Sequence, residues 1–341
     1  MNKKEMGFLV VGLGSMGKRR IRCLSALGLK NVAGFDLRAD RREEATQKYG
    51  IDTYSDFDEA VSAAKPNALF ISVPPDVHHI YMKRAIDQKL PFFVEASVVD
   101  TDMDLILRAS KEVFMAPSAT LLFHPAIRKM SEIISSGELG KISNFMLHSG
   151  QYLEDWHTYE KVSDFYVSNP VTGGAREITP FELTWVTRLL GFPKRVCGNV
   201  RKTIAIPGAE LIDDTYNFLM DYEQFLATIT IDVVSRNATR RVLINGSKKQ
   251  LVWNWSDNCV KLYSPETSKW EQVDYTLAPA AAGYNASISE GMYIDEVESF
   301  LTSLLGNGPF INNVENDWRV LKVLYAIEES DRTSAYVSFM P

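Results

Sequence analysis

Short apolar runs alternate with amphipathic stretches through the first third of the chain. Residues 7–11 (GFLVV) are mostly apolar and run into GLGSMG; from 18 to 28 the apolar positions Ile21, Leu24 and Leu27 fall at helical spacing. A second run, 32–35, ends at Asp36. The pattern predicts strand, glycine turn, helix, strand. It continues with a polar helix over 41–49, a helix ahead of Pro66, a strand at 68–73 (ALFISV), a helix over 78–88 and a strand at 92–96 (FFVEA). Such alternation predicts α/β architecture: a doubly wound parallel sheet with helices on both faces.

After about residue 120 the pattern changes. The runs 143–153, 215–222, 225–234, 240–246, 250–256 and 259–264 are strand-like and joined in part by short turns at 221–224 and 245–248. Helical periodicity returns at 179–190, 292–305 and 315–330. The reading is a nucleotide-binding domain over 1–120 and an α+β domain over 121–341, built on a large, mostly antiparallel sheet. The last helix is free to pack back on the first domain.

Composition narrows the function. A chain of 341 residues that is 45% hydrophobic has enough apolar content for two cores. Its net charge of -6 argues against nucleic acid as a partner, since phosphate affinity is built from clustered Lys and Arg. The local run Lys18, Arg19, Arg20, Arg22 reads as one face of a helix. Three cysteines, Cys23, Cys197 and Cys259, are far apart and odd in number, which suggests neither disulfides nor a zinc site and fits a reducing cytoplasm. Lysines ahead of an apolar run imitate a signal peptide at the start, but the run breaks into glycines after one strand length. No apolar stretch reaches the roughly 20 residues needed to span a bilayer, and no His/Asp/Glu grouping has metal spacing.

The chemistry begins at GLGSMG. Gly12, Gly14 and Gly17 stand at G-x-G-x-x-G spacing between a predicted strand and helix. The first glycine permits the turn, the second admits a pyrophosphate close to the backbone, and the third lets helix and sheet approach. Ser15, Met16 and Gly17 then offer helix N-terminal N–H groups to an anion. Asp36, about twenty residues on, suits the ribose hydroxyls of NAD and repels a 2′-phosphate. NAD is expected. Arg38 and Arg41 leave NADP open, because either can pair with a phosphate.

These residues, with VPPDVHHIYMKRAI (73–86), FFVEASVV (92–99), FHPAIRKM (123–130), GELGKI (137–142) and GGAREITPFELTWVTRLLG (173–191), resemble the glucose–fructose oxidoreductase, inositol dehydrogenase and rhizopine-catabolism (Gfo/Idh/MocA) family. The resemblance runs the full length. It implies an N-terminal Rossmann domain, an open-faced second sheet used for dimer or tetramer contacts, and NAD(P)-dependent oxidation of a sugar, sugar derivative or cyclitol. It also implies cofactor contacts at Val73, Pro74, His78 and Glu95. Two positions depart from the family. Its Glu-Lys-Pro lysine is Ala96 here, and its Asp-x-x-x-His pair falls on Glu177 and Phe181. Alcohol oxidation needs a proton acceptor, worth about a hundred- to ten-thousand-fold, which alanine and phenylalanine cannot supply.

Replacements are sought in QYLEDWHTYEKVSDFY (151–166). His157 titrates near neutrality and suits proton transfer, while Tyr152, Trp156 and Tyr159 offer aromatic faces to a sugar. The alternative is a surface loop packed by its aromatics. In 171–186, Thr179-Pro180-Phe181-Glu182 reads as a capping box that accounts for Glu182, with Phe181, Trp185 and Leu189 on one core face. Arg176 and Glu177 precede that cap: Glu177 as base or orienting group, Arg176 as holder of a substrate anion, or the two simply as ion-pair partners. His124 and His148 read as structural. Two other functions fit the lost lysine and histidine: a redox-neutral lyase, hydrolase or epimerase using bound NAD, and a non-catalytic dinucleotide- or sugar-responsive regulator.

Overall fold

The computed structural model describes residues 3–156, 160–280 and 288–339. The chain divides into two compact units, Met1–Thr120 with Glu290–Trp318, and Leu121–Ser289 with Arg319–Pro341.

In the first unit the elements run β1 (Phe8–Val11), α1 (Ser15–Ala26), β2 (Val32–Phe35), α2 (Ala39–Tyr49), β3 (Asp52–Tyr54), α3 (Phe57–Ala64), β4 (Ala68–Ile71), α4 (His78–Asp87), β5 (Phe92–Val94), α5 (Met103–Ala109) and β6 (Met115–Pro117). The strands lie in the order β3-β2-β1-β4-β5-β6 and every pairing is parallel. Each residue of β1, β4 and β5 is buried, which is why these strands read as apolar runs rather than alternating ones. The order reverses between β1 and β4, the place where such sheets bind dinucleotides at the carboxyl ends of their strands.

The second unit contains α6 (Pro125–Ser135), β7 (Ile142–Tyr152), α7 (Ala175–Leu190), β8 (Arg195–Arg201), β9 (Thr215–Asp221), β10 (Leu226–Asp232), β11 (Val234–Gly246), β12 (Gln250–Asn254), β13 (Cys259–Ser264) and β14 (Lys269–Asp274). The chain then forms α8 (Glu290–Leu304), α9 (Val314–Thr333) and β15 (Val337–Ser338). The second sheet has the order β14-β13-β12-β11-β7-β10-β9-β8-β15 and is antiparallel except where β10 runs parallel to β7. Alternation along β7 separates its faces. Phe145, Leu147 and Ser149 are buried on the α7 side, where Phe145 meets Trp185 edge-on, while Met146 on the other face is 49% exposed.

The stretch 292–305, which the sequence places with the second domain, folds as α8 within the first unit. There Phe300 packs on Phe70, Phe93 and Phe114, with ring centroids 5.2 to 5.8 Å apart. Five strands escape the sequence pattern: β3, β6 and β15 are only two or three residues long, while β8 and β14 are longer. The β14 edge is almost wholly exposed and so carries no apolar alternation, and arginines at both ends of β8 with Gly198 in its middle mask its inward positions. Among the described residues no helix is long and apolar enough to cross a membrane.

Candidate functional site

The glycine turn of the first unit has the shape its spacing predicts. Gly12 adopts a φ of +93°, and a Cβ there would lie 2.7 Å from the Ser72 carbonyl oxygen. Gly17 lies so close beneath it that a Cβ would be 1.8 Å from the Gly12 oxygen. Gly14 is different: the nearest atom to a Cβ there is Arg41 Nη1 at 3.4 Å, so its missing side chain leaves room above the backbone. The N-cap of α1 is Gly14, which has no side chain to cap with, and the first helical N–H groups at Ser15, Met16 and Gly17 begin directly after that opening. The turn fits a pyrophosphate.

Asp36, at the carboxyl end of β2, is 7% exposed and accepts from the Leu13 N–H at 2.7 Å and the Arg38 N–H at 2.9 Å. It therefore braces the turn, with each oxygen keeping a lone pair for a ribose hydroxyl. Arg38, expected to be available for a phosphate, instead forks onto Asp40 with Nε and Nη2 at 3.1 and 2.5 Å. Arg41 lies nearer the turn, with Nη1 3.8 Å from Asp36 Oδ2. Beyond β4, the partly exposed Val73 and Pro74 border the same edge of the sheet. His78 Nε2 donates to the Val73 carbonyl at 2.9 Å, and burial pulls the imidazole pKa down to about 4. Its role is to fix this turn as a neutral ring.

Glu95 follows β5. Arg20 of α1, fully buried, forks onto it with Nε to Oε1 at 2.8 Å and Nη2 to Oε2 at 2.7 Å; the Ser72 hydroxyl adds a third bond to Oε1 at 3.0 Å. Arg20 Nη1 also donates to Glu296 of α8 at 2.8 Å. The basic run of α1 is thus no solvated face, because an arginine inside a unit is tolerated where carboxylates meet every edge of its fork. Next to Ala96, Ser97 donates from its hydroxyl and its N–H to Asp317 of α9, a carboxyl whose pKa burial pushes up to about 6. Neither Arg20 nor Asp317 stands out in the sequence, since their partners are 75 or more positions away.

In the second unit the double glycine is a packing requirement. A Cβ on Gly173 would lie 1.8 Å from the Val167 oxygen, and Gly174 has a φ of +64°. Helix α7 starts at once after it, five residues earlier than a cap at Thr179 requires. The expected capping box does not form: Thr179 Oγ1 donates to the Ala175 carbonyl at 2.8 Å, and Pro180 sits inside the helix, where its ring denies the Arg176 carbonyl its usual partner. Glu182 is fully buried instead. It accepts from Ser149 Oγ at 2.8 Å, Trp185 Nε1 at 2.6 Å and Arg240 Nε at 2.9 Å. Trp185 is buried, whereas Phe181 and Leu189 are only partly so.

Glu177 lies in the first turn of α7. Tyr166, which no sequence motif marks, donates its hydroxyl to Oε1; Oε2 is shielded from solvent and has no hydrogen-bond partner among the described residues. Burial pushes the carboxyl pKa up to about 7, against the opposing effect of the Tyr166 bond. Arg176, expected to hold a substrate anion, is taken up by Glu328 at 2.6 Å and the Val171 carbonyl at 2.5 Å. Tyr152 does not present a ring face either: it is 7% exposed, with the Arg236 guanidinium 3.6 Å over its centroid. Trp156 is partly buried, and its Nε1 has no partner among the described residues. His157 and Tyr159 lie outside the described residues. His124 caps α6, with Nδ1 accepting from the Ala126 N–H at 3.2 Å, and His148 pairs with Asp232 at 2.7 Å. Among the described residues no group of His, Cys, Asp and Glu could hold a metal ion.

Comparison with known proteins places these features in context. Residues 6–101 match the model of an oxidoreductase family with an NAD-binding Rossmann fold, and residues 127–252 match the GFO/IDH/MocA C-terminal domain. An inositol 2-dehydrogenase from Burkholderia lata is 27% identical over 314 residues, covering 81% of this chain and 88% of that protein. A levoglucosan dehydrogenase in complex with NADH and levoglucosan superposes with a TM-score of 0.84 at 16% identity, covering 98% of this chain and 100% of that one. An oxidoreductase from Agrobacterium radiobacter in complex with NAD+, L-tartaric acid and magnesium gives a TM-score of 0.84 at 12% identity, covering 98% of both chains.

Proposed function

The chain belongs to the Gfo/Idh/MocA family of oxidoreductases with an NAD-binding Rossmann fold, and from that premise we propose that it oxidises a secondary hydroxyl of a cyclitol or sugar, with Glu177 as the proton acceptor. The substrate class is supported by the inositol 2-dehydrogenase relative and by the levoglucosan dehydrogenase of similar fold. Unusual-sugar or polysaccharide metabolism in the cytoplasm is the setting that suits it.

When bound, NAD supplies the hydride acceptor. The residues of this chain do the rest. Gly12, Gly14 and the start of α1 hold the pyrophosphate, and Asp36 takes the adenosine ribose. Glu177 receives the hydroxyl proton as the carbinol becomes a carbonyl. The observation that carries this role is the carboxyl itself: one oxygen tied to Tyr166, the other unpartnered among the described residues, and a pKa of about 7. His157, with Trp156 and Tyr159 beside it in sequence, is the second acid–base candidate. Purified protein given NAD and a panel of inositols, anhydrosugars and aldoses tests the proposal through NADH absorbance. Glu177→Gln and His157→Ala are the decisive variants, and unchanged turnover in both defeats the assignment.

Ala96 in place of the family lysine favours a second reading, net redox-neutral chemistry on bound NAD. There, product accumulates in the same panel with no NADH. Assembly is proposed through the open face of the second sheet, where Met146 and Leu226 are 49% and 45% exposed. A Met146→Glu variant then sediments as a smaller species than the parent, and an unchanged mass rules that face out.

A further inference from the structure

In the first unit, one guanidinium is shared by two carboxylates. Arg20, 0% exposed, forks onto Glu95 and also donates to Glu296. Glu296 is equally buried and has a complete set of donors: the Ser118 hydroxyl at 3.0 Å, the Ala119 N–H at 2.6 Å, the Thr120 hydroxyl at 2.7 Å and Arg20. Glu95 is the member that reaches the surface, with 17% of its side chain exposed beyond the carboxyl end of β5. The other cations of α1 are engaged elsewhere, Arg19 and Arg22 both with Glu290 and Lys18 with Glu44. His78, which faces Glu95 from α4, is neutral at pH 7 because burial lowers its pKa to about 4. Within the triad of Arg20, Glu95 and Glu296, two carboxylates against one guanidinium leave one net negative charge, and Glu95 is the member that carries it to the surface.

Its place on the sheet gives that charge a target. Asp36 at the end of β2 marks the adenosine side of the β1/β4 switch, so the nicotinamide half of a dinucleotide falls on the β4–β5 side, where Glu95 stands. The oxidised nicotinamide ring is a cation and the reduced ring is neutral. We infer that Arg20 is a positioning residue that fixes Glu95 as an anion facing the nicotinamide, and that this charge makes the protein favour the oxidised over the reduced dinucleotide. The fork leaves Glu95 without rotamer freedom, and Glu296 offsets the arginine charge that would otherwise cancel it. The inference rests on the NAD reading and is independent of the substrate.

Calorimetric titration of NAD+ and NADH tests it without turnover. The parent protein is expected to bind NAD+ at least as tightly as NADH. Glu95→Gln, which keeps shape and leaves Arg20 balanced by Glu296, should weaken NAD+ about three- to tenfold relative to NADH, the effect of removing one charge at close range. Glu95→Asp, which keeps the charge, should preserve the ratio. A positioning role without charge selection moves both affinities together, so an unchanged ratio in Glu95→Gln overturns the inference. If that variant fails to fold, the parent and Glu95→Asp decide it: NADH bound more than about tenfold tighter than NAD+ by the parent is incompatible with an anion facing the ring. Failure of the parent to bind either dinucleotide defeats the cofactor reading as well, a result distinguishable from an unchanged ratio.

Discussion

The Tyr166 hydroxyl donates to Oε1 of Glu177, while Oε2 of the same carboxyl is enclosed and has no partner among the described residues. A proton acceptor needs this asymmetry, because one oxygen is oriented and the other is left to react. Turnover with a substrate found in the panel should rise with pH through about 7, as Glu177 ionises, and level off above it. Tyr166→Phe removes a hydrogen bond to the charged form, so the midpoint should move upward. Glu177→Gln should lower turnover by about a hundred- to ten-thousand-fold. A profile whose acid limb is the same in Tyr166→Phe removes the tyrosine from the mechanism.

The same carboxyl links stability to pH. Its pKa in the folded chain, about 7, lies above the ordinary 4.5, so the folded state binds the extra proton. The stabilisation is complete below pH 4.5 and is lost as pH rises through 7. Glu177→Gln, neutral at every pH, should therefore be more stable than the parent at pH 8 by about 1–3 kcal/mol and indistinguishable at pH 4. Denaturant titrations at the two pH values read the difference directly.

Glu182 is predicted to serve the fold. Arg240→Met strands its carboxylate, buried among Ser149, Trp185 and the core of the second unit, and should cost about 3–5 kcal/mol. Glu182→Gln with Arg240→Met should recover much of that loss, because no charge is then left unpaired. NAD affinity of the folded protein should be the same in all three, as measured by calorimetry.

Two glycines of one turn should fail in different ways. Gly17→Ala drives a methyl into the Gly12 carbonyl and should lower the melting temperature sharply. Gly14→Ala meets nothing closer than Arg41 at 3.4 Å, so its melting temperature should stay near the parent's while NAD affinity falls at least about tenfold, the methyl standing where a pyrophosphate approaches. Equal NAD affinity in Gly14→Ala would place the dinucleotide elsewhere.

Much of the first unit was legible because its signals are local. Gly12, Gly14, Gly17 and Asp36 lie within 25 residues, and β1, β4 and β5 are buried on both faces, so each shows as an uninterrupted apolar run. The α7 segment was harder. Thr-Pro-x-Glu is a sound helix start by local rules, yet the chain begins the helix at Ala175, where the Ala175 N–H bonds to the Asp213 carbonyl and the close approach of Val167 requires glycine before it. Pro180 then stands inside the helix and leaves one backbone bond unmade, with Trp185 buried one turn further on.

The sequence by itself determined the α/β sheet with its glycine turn, the change to an antiparallel sheet beyond residue 120, and the loss of lysine and histidine at 96 and 181. These follow from periodicity and residue chemistry over a few neighbouring positions. Tertiary structure alone decided how the charges pair: Arg20 with Glu95 and Glu296, Arg176 with Glu328, Arg240 with Glu182, and Tyr166 with Glu177. An ion's partner is whichever group folding brings within reach inside a low-dielectric interior, and most of these partners lie 58 to 276 residues away. No spacing rule along the chain carries that information.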